Sequence, residues 1–307
     1  MHHKSKGSLV CARHNRGADR GNEISRNAWR MVRMIINIAD HGGSIVWEGV
    51  YYFALSDYPN ISGWELKNLV LFTEYEKMHG RKTEITCNER EILQIVHQAL
   101  ANPSSLLSIP VPKLIKVPAC TRCVRGGCVT DYLYHATEIT NAMSIFNCGK
   151  LLSAVKARNK TGEYLSKEPR NAAKDTPDYF DYIMFMWGNC FGGDSLVMER
   201  MLKRAPNEYD LGSGLKPGAR FYFKNEDILH HKDCMHDGHH PAKIKNELSL
   251  LDYLHCCIIP AANKADFEGI VPSNLVDRVF YIENDCKDVW EWSEKIYDFV
   301  SSMTVMQ

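Results

Sequence analysis

Tyr132-Leu133-Tyr134-His135-Ala136-Thr137, followed by an apolar helical pattern and then by Gly149-Lys150-Leu151-Leu152-Ser153, decides how the chain is read. Ile139, Ala142, Met143 and Phe146 recur at the spacing of one helix face. Thr137 suits the N-cap of that helix and Gly149 the position just past its end, so the stretch predicts a strand, a helix and a second strand. His135, at the end of the first strand, is either a hydrogen-bonded structural ring or a ligand contact.

Downstream, short aromatic or β-branched runs bounded by turn residues alternate with helical stretches. Strands are expected near 131–135, 179–187, 219–223, 254–259 and 279–282. Helices are expected at 138–148, 194–204 and 288–303, with Asp194 capping the second of these. In the last helix Val289, Trp292, Ile296, Phe299 and Met303 share a face. Such a mixture predicts an α+β domain with a mixed sheet over 131–307.

Upstream, Pro103, Pro110, Pro112 and Pro118 disfavour helix and mark 103–130 as a linker. Residues 23–102 read as a small, mainly helical module. Its first helix would carry Ile24, Ala28, Val32, Ile35 and Ile36, and 44–55 is either a strand or a further helix. One helix is expected from Trp64 to the stop at Gly80, and another from Asn88 with Ile92, Ile95, Val96, Ala99 and Leu100. Residues 1–22 lack an apolar period and read as a mobile basic arm.

Across 307 residues, 45% are apolar and 24% charged, and no uncharged apolar run approaches the ~20 residues of a membrane span, so a soluble globular protein without a membrane partner is expected. The basic N-terminus has no apolar core behind it, which argues against a secretory signal and for a cytoplasmic protein. Formal net charge is zero. The charge is unevenly spread: residues 1–33 are basic and 283–298 acidic, and a basic arm is either a solvated segment or one that tracks a nucleic-acid backbone.

Eleven cysteines, an odd number, disfavour a disulfide framework. Cys190, Cys256 and Cys257 lie in apolar settings and read as core. Cys120, Cys123 and Cys128 have the spacing of a zinc knuckle, which would make them structural zinc ligands with Cys87, Cys148 or a histidine as the fourth, although none of these stands at short spacing; the alternatives are a reducible thiol group and ordinary cysteines. His230 to His240 concentrates five histidines with Cys234. That composition suits either a transition metal or an acceptor-binding loop, and no fixed-spacing metalloenzyme motif or phosphate loop accompanies it.

Tyr134-His135-Ala136-Thr137 with Asn141-Ala142-Met143-Ser144-Ile145-Phe146 and Gly149-Lys150-Leu151-Leu152-Ser153 resembles the opening of the DarT-type ADP-ribosyltransferases. Asp181-Tyr182-Ile183-Met184-Phe185-Met186-Trp187 looks like that family's aspartate-tyrosine strand. Cys257-Ile258-Ile259-Pro260 with Val279-Phe280-Tyr281-Ile282 looks like its closing strand pair. The resemblance covers roughly residues 131–283 and rests on short hydrophobic motifs. It implies an ADP-ribosyltransferase-like split mixed sheet that grips NAD, with His135, Thr137, Arg158 and Tyr182 as NAD contacts. It also implies an arginine that holds diphosphate or orients the substrate, for which Arg170 has better spacing from His135 than Arg158. The family's glutamate would fall at His255-Cys256, and Glu247 and Asp252 are the nearest acids; Glu247 is taken as the catalytic carboxylate.

The leading expectation is therefore an NAD-dependent ADP-ribosyltransferase acting on a macromolecular acceptor. DNA or RNA is the acceptor that the family's role in bacterial and phage conflict implies, and a neutralising protein is its implied partner, as in toxin–antitoxin pairs. The alternatives are a non-catalytic zinc-stabilised nucleic-acid or protein-binding module, and a metal-dependent hydrolase built around 230–240 and His255.

Overall fold

The architecture comes from a computed structural model that describes residues 33–39, 44–47, 49–109, 130–168 and 175–303. The N-terminal arm, the three knuckle cysteines and Arg170 lie outside the described residues.

The N-terminal module combines its helices with a four-stranded sheet. It builds β1 (Arg33–Ala39), β2 (Ile45–Trp47), β3 (Val50–Ala54), α1 (Gly63–Met78), β4 (Lys82–Cys87), α2 (Arg90–Ala101) and α3 (Ser104–Leu107). The four strands form one sheet in the order β2-β3-β1-β4, with β1 parallel to both β3 and β4. Of the expected first helix, Ile24, Ala28 and Val32 lie outside the described residues; its last part, at Ile35 and Ile36, is strand instead, because Met34, Ile36 and Ile38 are buried at every second position, the period of a strand. Their side chains pack with Tyr51, Phe53, Leu69, Phe72, Ile92 and Val96 into one core.

Both longer helices here obey local rules. Ser62 and Glu65 form a reciprocal capping box at the start of α1, and Gly80 follows its end at φ +72°. Helix α2 buries Ile92 and Val96 on its inner face, as the spacing predicts. Pro103 opens α3, so the linker expected from 103 begins with a helical turn.

Beyond the undescribed stretch come β5 (Tyr132–Thr137), α4 (Ile139–Cys148), β6 (Lys150–Leu152), α5 (Ala154–Arg158), α6 (Gly162–Leu165) and a 3-10 turn at Pro177–Asp181. Next are β7 (Tyr182–Met184), β8 (Met186–Trp187), α7 (Gly192–Leu202), α8 (Glu208–Leu211), β9 (Ala219–Lys224), α9 (Asn225–Leu229), β10 (Cys234–Met235), β11 (Lys243–Lys245) and β12 (Glu247–Ser249). The chain closes with α10 (Leu250–Tyr253), β13 (Leu254–Pro260), two 3-10 turns, β14 (Val279–Ile282) and α11 (Val289–Met303).

Five strands form the central sheet, in the order β14-β13-β9-β5-β8. Only β13 and β14 run parallel, with Cys257 opposite Val279. The fold is thus α+β with mixed sheets. One face of the sheet buries Leu133, Phe221, Phe223, Cys257 and Ile259 against α4. The other buries Tyr134, Tyr222, Cys256 and Ile258 beneath Val289, Trp292, Ile296 and Val300 of α11. Burying such side chains contributes roughly 1.5–3 kcal/mol each, which makes this sandwich the main source of stability. Cys190, Cys256 and Cys257 are all buried, and burial pushes the Cys256 thiol up to about 12.

Two expected caps take other roles. Thr137 is the last residue of β5, and Glu138 precedes α4 without a side-chain cap bond. Helix α7 begins at Gly192, which places Asp194 inside its first turn. There it is fully buried, with its carboxylate spent on a cation across the sheet.

Candidate functional site

The strand expected over 179–187 is broken, and the break creates the site. Residues 177–181 form a 3-10 turn opened by Pro177. β7 then pairs antiparallel with β11, whereas β8, one residue further on, pairs antiparallel with β5. Phe185, between them, is buried, and its N–H donates to the Ala242 carbonyl. One short segment therefore crosses from the three-stranded sheet β10-β11-β7 to the five-stranded sheet, and the two sheets part there.

His135 spans that parting. It lies on the same face of β5 as Leu133, opposite Phe221 of β9, and its Nδ1 is 3.1 Å from the Met184 carbonyl oxygen on β7. A carbonyl only accepts, so Nδ1 carries the proton and Nε2 of the neutral ring is an acceptor. Burial lowers the histidine pKa, and the nearby Arg200 guanidinium lowers it further. The ring is thus held neutral at pH 7 in one tautomer, a state suited to accepting a hydrogen bond from a ligand hydroxyl.

Sequence reasoning missed Asp175 and Arg200. Asp175, partly buried just before the 3-10 turn, has its carboxyl pKa raised by burial and lowered again by His240, Lys243 and Arg200. Arg200 thereby acts on both His135 and Asp175. No motif marks either residue, because only the folded sheets bring Arg200 of α7 within electrostatic reach of His135 and of Asp175.

The other expected residues are dispersed. Thr137 is buried at the end of β5, two positions beyond His135 on the same face. Tyr182 is buried on β7, where its ring lies 5.5 Å from the ammonium of Lys243. Arg158 is exposed and pairs with Glu168 at 2.5 Å, so in this structure its fork is spent on a carboxylate. Glu247 opens β12, opposite Leu152 of β6. Its two oxygens accept from Lys150 at 2.7 Å and Lys156 at 2.9 Å. Those lysines hold its carboxyl down at about 2, ionised at every physiological pH.

The histidine-rich turn is neither a metal centre nor an open loop in this structure. Asp237 is fully buried at its middle. Its Oδ1 accepts from the His239 and His240 N–H groups at 3.0 and 2.7 Å, and its Oδ2 from His240 Nδ1 at 2.9 Å. Lys243 Nζ lies 2.6 Å from the same Oδ2, enclosed by the rings of Tyr179 at 3.7 Å, Tyr75 at 4.2 Å and Tyr182. Gly238, at φ +71°, lies so close to the Asn68 carbonyl of α1 that a Cβ would overlap it. The Tyr51 hydroxyl donates to the Gly238 carbonyl at 3.0 Å. The turn therefore docks the N-terminal module onto the sheets of the second.

A second clamp completes that junction. Arg81 donates from Nε to Glu76 at 2.5 Å and from Nη1 to Asp178 at 2.6 Å, while the Tyr75 hydroxyl donates to Asp178 at 2.5 Å. These partners hold the Asp178 carboxyl at about 2. Among the described residues no group of three or more His, Cys, Asp or Glu side chains is arranged to hold a metal ion. Among the same residues no helix is long and apolar enough to cross a membrane. Comparison with protein-family models, with curated proteins and with solved structures finds no match for this chain.

Proposed function

We propose that this protein binds NAD in the parting between its two sheets and transfers ADP-ribose to a macromolecular acceptor, DNA or RNA being the acceptor class that the sequence resemblance implies. The observation that carries this reading is the neutral His135 ring, fixed by Met184 across the split with Nε2 as an acceptor. A ribose hydroxyl is a donor that such a nitrogen would orient. The β5-α4-β6 unit that presents His135 and the parallel β13-β14 pair at the sheet edge are the features of this α+β fold on which the reading leans.

Cleavage of the nicotinamide–ribose bond develops positive charge on the sugar, which an ionised carboxylate stabilises or orients. Glu247 is ionised and exposed enough to meet an acceptor, and is assigned that role. Lys150 and Lys156 beside it would meet phosphate oxygens, Tyr182 would line the cleft and Arg170 would orient the substrate. Asp175, which shares Arg200 with His135, is the competing carboxylate.

The test is incubation of the protein with labelled NAD and with DNA, RNA and protein acceptors. Transfer of label that is lost in His135→Ala, and in either Glu247→Gln or Asp175→Asn, is the expected result. Absence of NAD cleavage and transfer, with NAD binding unaltered by His135→Ala, would overturn the reading.

A further inference from the structure

Among the described residues, each of the three apolar clusters draws its side chains from one module alone. What joins the modules is polar and titratable. Tyr51 of β3, Tyr75 and His79 of α1 and Arg81 meet Asp178, the histidine turn and Lys243. Beside these contacts the modules leave a cavity of about 450 Å³, walled by Trp64 and Lys67 on one side and by Trp187, His236 and His239 on the other. A junction without a shared apolar core is the kind that permits relative motion.

The histidine turn gives that motion a trigger. The His239 ring meets the Tyr51 ring edge-on across the junction, with centroids 5.2 Å apart, and its Nδ1 is withdrawn from water without a hydrogen-bond partner. A charged imidazole needs partners at both nitrogens, so the docked ring does not accommodate a second proton. The titratable groups that face it are Tyr51 from β3 and, from its own turn and β11, Asp237, which favours a proton, and His240 and Lys243, which oppose one. Burial is the largest influence, and the balance holds the pKa at about 3. Burial and the Lys67 ammonium of α1 lower that of His236 as well, against Asp237. Moving β3 and α1 away returns both rings to water, where histidine takes its proton near pH ~6.5. The parted state therefore binds more protons, so docking is full above about pH 6.5 and is lost as pH falls, roughly tenfold per unit for His239 alone. His79, 3.7 Å from Asp178, is the ring whose proton would meet a carboxylate across the junction and oppose parting. Asp178, held at about 2 by Arg81 and Tyr75 against the effect of burial, gives way only below about pH 4.

We infer that the junction is an acid-operated hinge: in mildly acidic solution the N-terminal module swings away from the second, both keep their folds, and the cavity opens its two indoles to water.

Small-angle X-ray scattering of the full chain from about pH 7.5 to 4.5, with far-ultraviolet circular dichroism and acrylamide quenching of tryptophan on the same samples, tests this. A rise in radius of gyration and in quenching as pH falls through this range, with the dichroism unchanged, is expected. His239→Gln should move the midpoint lower by at least half a pH unit. Tyr51→Phe, which deletes the hydroxyl that bonds Gly238, should move it higher, and His97→Gln, at an exposed position on α2, should leave it in place. Constant dimensions over this range, an expansion that coincides with loss of the dichroism signal, or a midpoint unmoved by His239→Gln would each overturn the inference. Should His239→Gln not fold, the upward shift in Tyr51→Phe decides instead, and its absence is the overturning result. None of these readouts depends on NAD.

Discussion

Arg220 and Lys243 are both fully buried cations, each against one carboxylate and close to tyrosine rings, yet they are held in different ways. Arg220, inside the second module, points Nε at Asp194 Oδ1 at 3.1 Å, Nη2 at Asp194 Oδ2 and Nη1 at the Tyr222 hydroxyl at 3.0 Å. Tyr222 passes the chain on to the Gly188 carbonyl, and the Tyr134 hydroxyl accepts from the Gly193 N–H at 3.0 Å. Lys243, at the junction of the modules, approaches Asp237 closely but off the line of a good hydrogen bond, and otherwise meets tyrosine faces. A planar fork fixes a loop to a sheet with directional bonds; a point charge in an aromatic cage joins two surfaces with little orientation. The first device specifies a fold, and the second tolerates adjustment between modules.

Asp194→Ala should show the largest effect. It leaves the Arg220 guanidinium buried and unpaired, which costs roughly 3–5 kcal/mol and should appear as an earlier urea midpoint. Lys243→Met should cost less, about 1–3 kcal/mol, because Asp237 keeps two backbone N–H donors and the His240 ring while the methionine stem still packs on the tyrosines. Equal losses in the two variants would mean that the fork and the aromatic cage hold their cations equally firmly. A loss of protection confined to the N-terminal module in Lys243→Met, read by hydrogen exchange, would place the role of Lys243 at the junction.

The same contrast governs how much of the molecule could be read in advance. The central sheet was legible at Ala219, Leu254 and Val279 because short runs there, mostly aromatic, β-branched or otherwise apolar apart from Arg220 and His255, are bounded by turn residues, as buried strands require. β1 was obscured by Ile35, which breaks the alternation and completes a helical spacing with Ile24, Ala28 and Val32. β4, an edge strand with Lys82, Thr83, Glu84 and Thr86, lacks an apolar signature. His135 stood out because it is a titratable side chain inside an otherwise aromatic and apolar run. The bonds that give it a tautomer, and those between Arg81 and Asp178, join residues 49 and 97 positions apart and leave no local trace. The histidine cluster was conspicuous in composition, but its backbone N–H groups and the buried Asp237 decide its role, and composition does not record those.

Acid should separate the two cations next. Burial drives the His239 pKa down to about 3, and those of His236 and His135 also lie below the ordinary value. A histidine whose folded pKa is depressed binds its proton in the unfolded chain first, so stability is full above the unfolded pKa of ~6.5 and is lost as pH falls toward the folded value. For His239 alone the loss approaches about 1.4 kcal/mol for each pH unit in that window. Asp178 and Asp237, whose carboxyl pKa values are depressed by their cations, add losses only below about pH 4. Denaturation at pH 7 and pH 5 should therefore show a steep dependence that His239→Gln flattens, whereas Arg220, which does not titrate, contributes none.

The smallest effect on stability is expected at Glu247, and there the contrast between structural and chemical charges is sharpest. Its ion pairs with Lys150 and Lys156 are exposed, so solvent screens them and the cost of holding long side chains offsets the attraction. Glu247→Gln should leave the melting temperature unchanged. If Glu247 is the carboxylate of the transfer, the same variant should still bind NAD while transfer falls by a hundredfold or more, since a stabilising charge acts on the transition state rather than on the bound ground state. Asp175→Asn is the matched comparison: it alters a partly buried group whose field reaches the junction through His240 and Lys243, so a loss of transfer there should come with a shifted melting temperature. Loss of transfer in Asp175→Asn alone would move the chemistry to the carboxylate that shares Arg200 with His135, and would leave Glu247 as a surface ion pair.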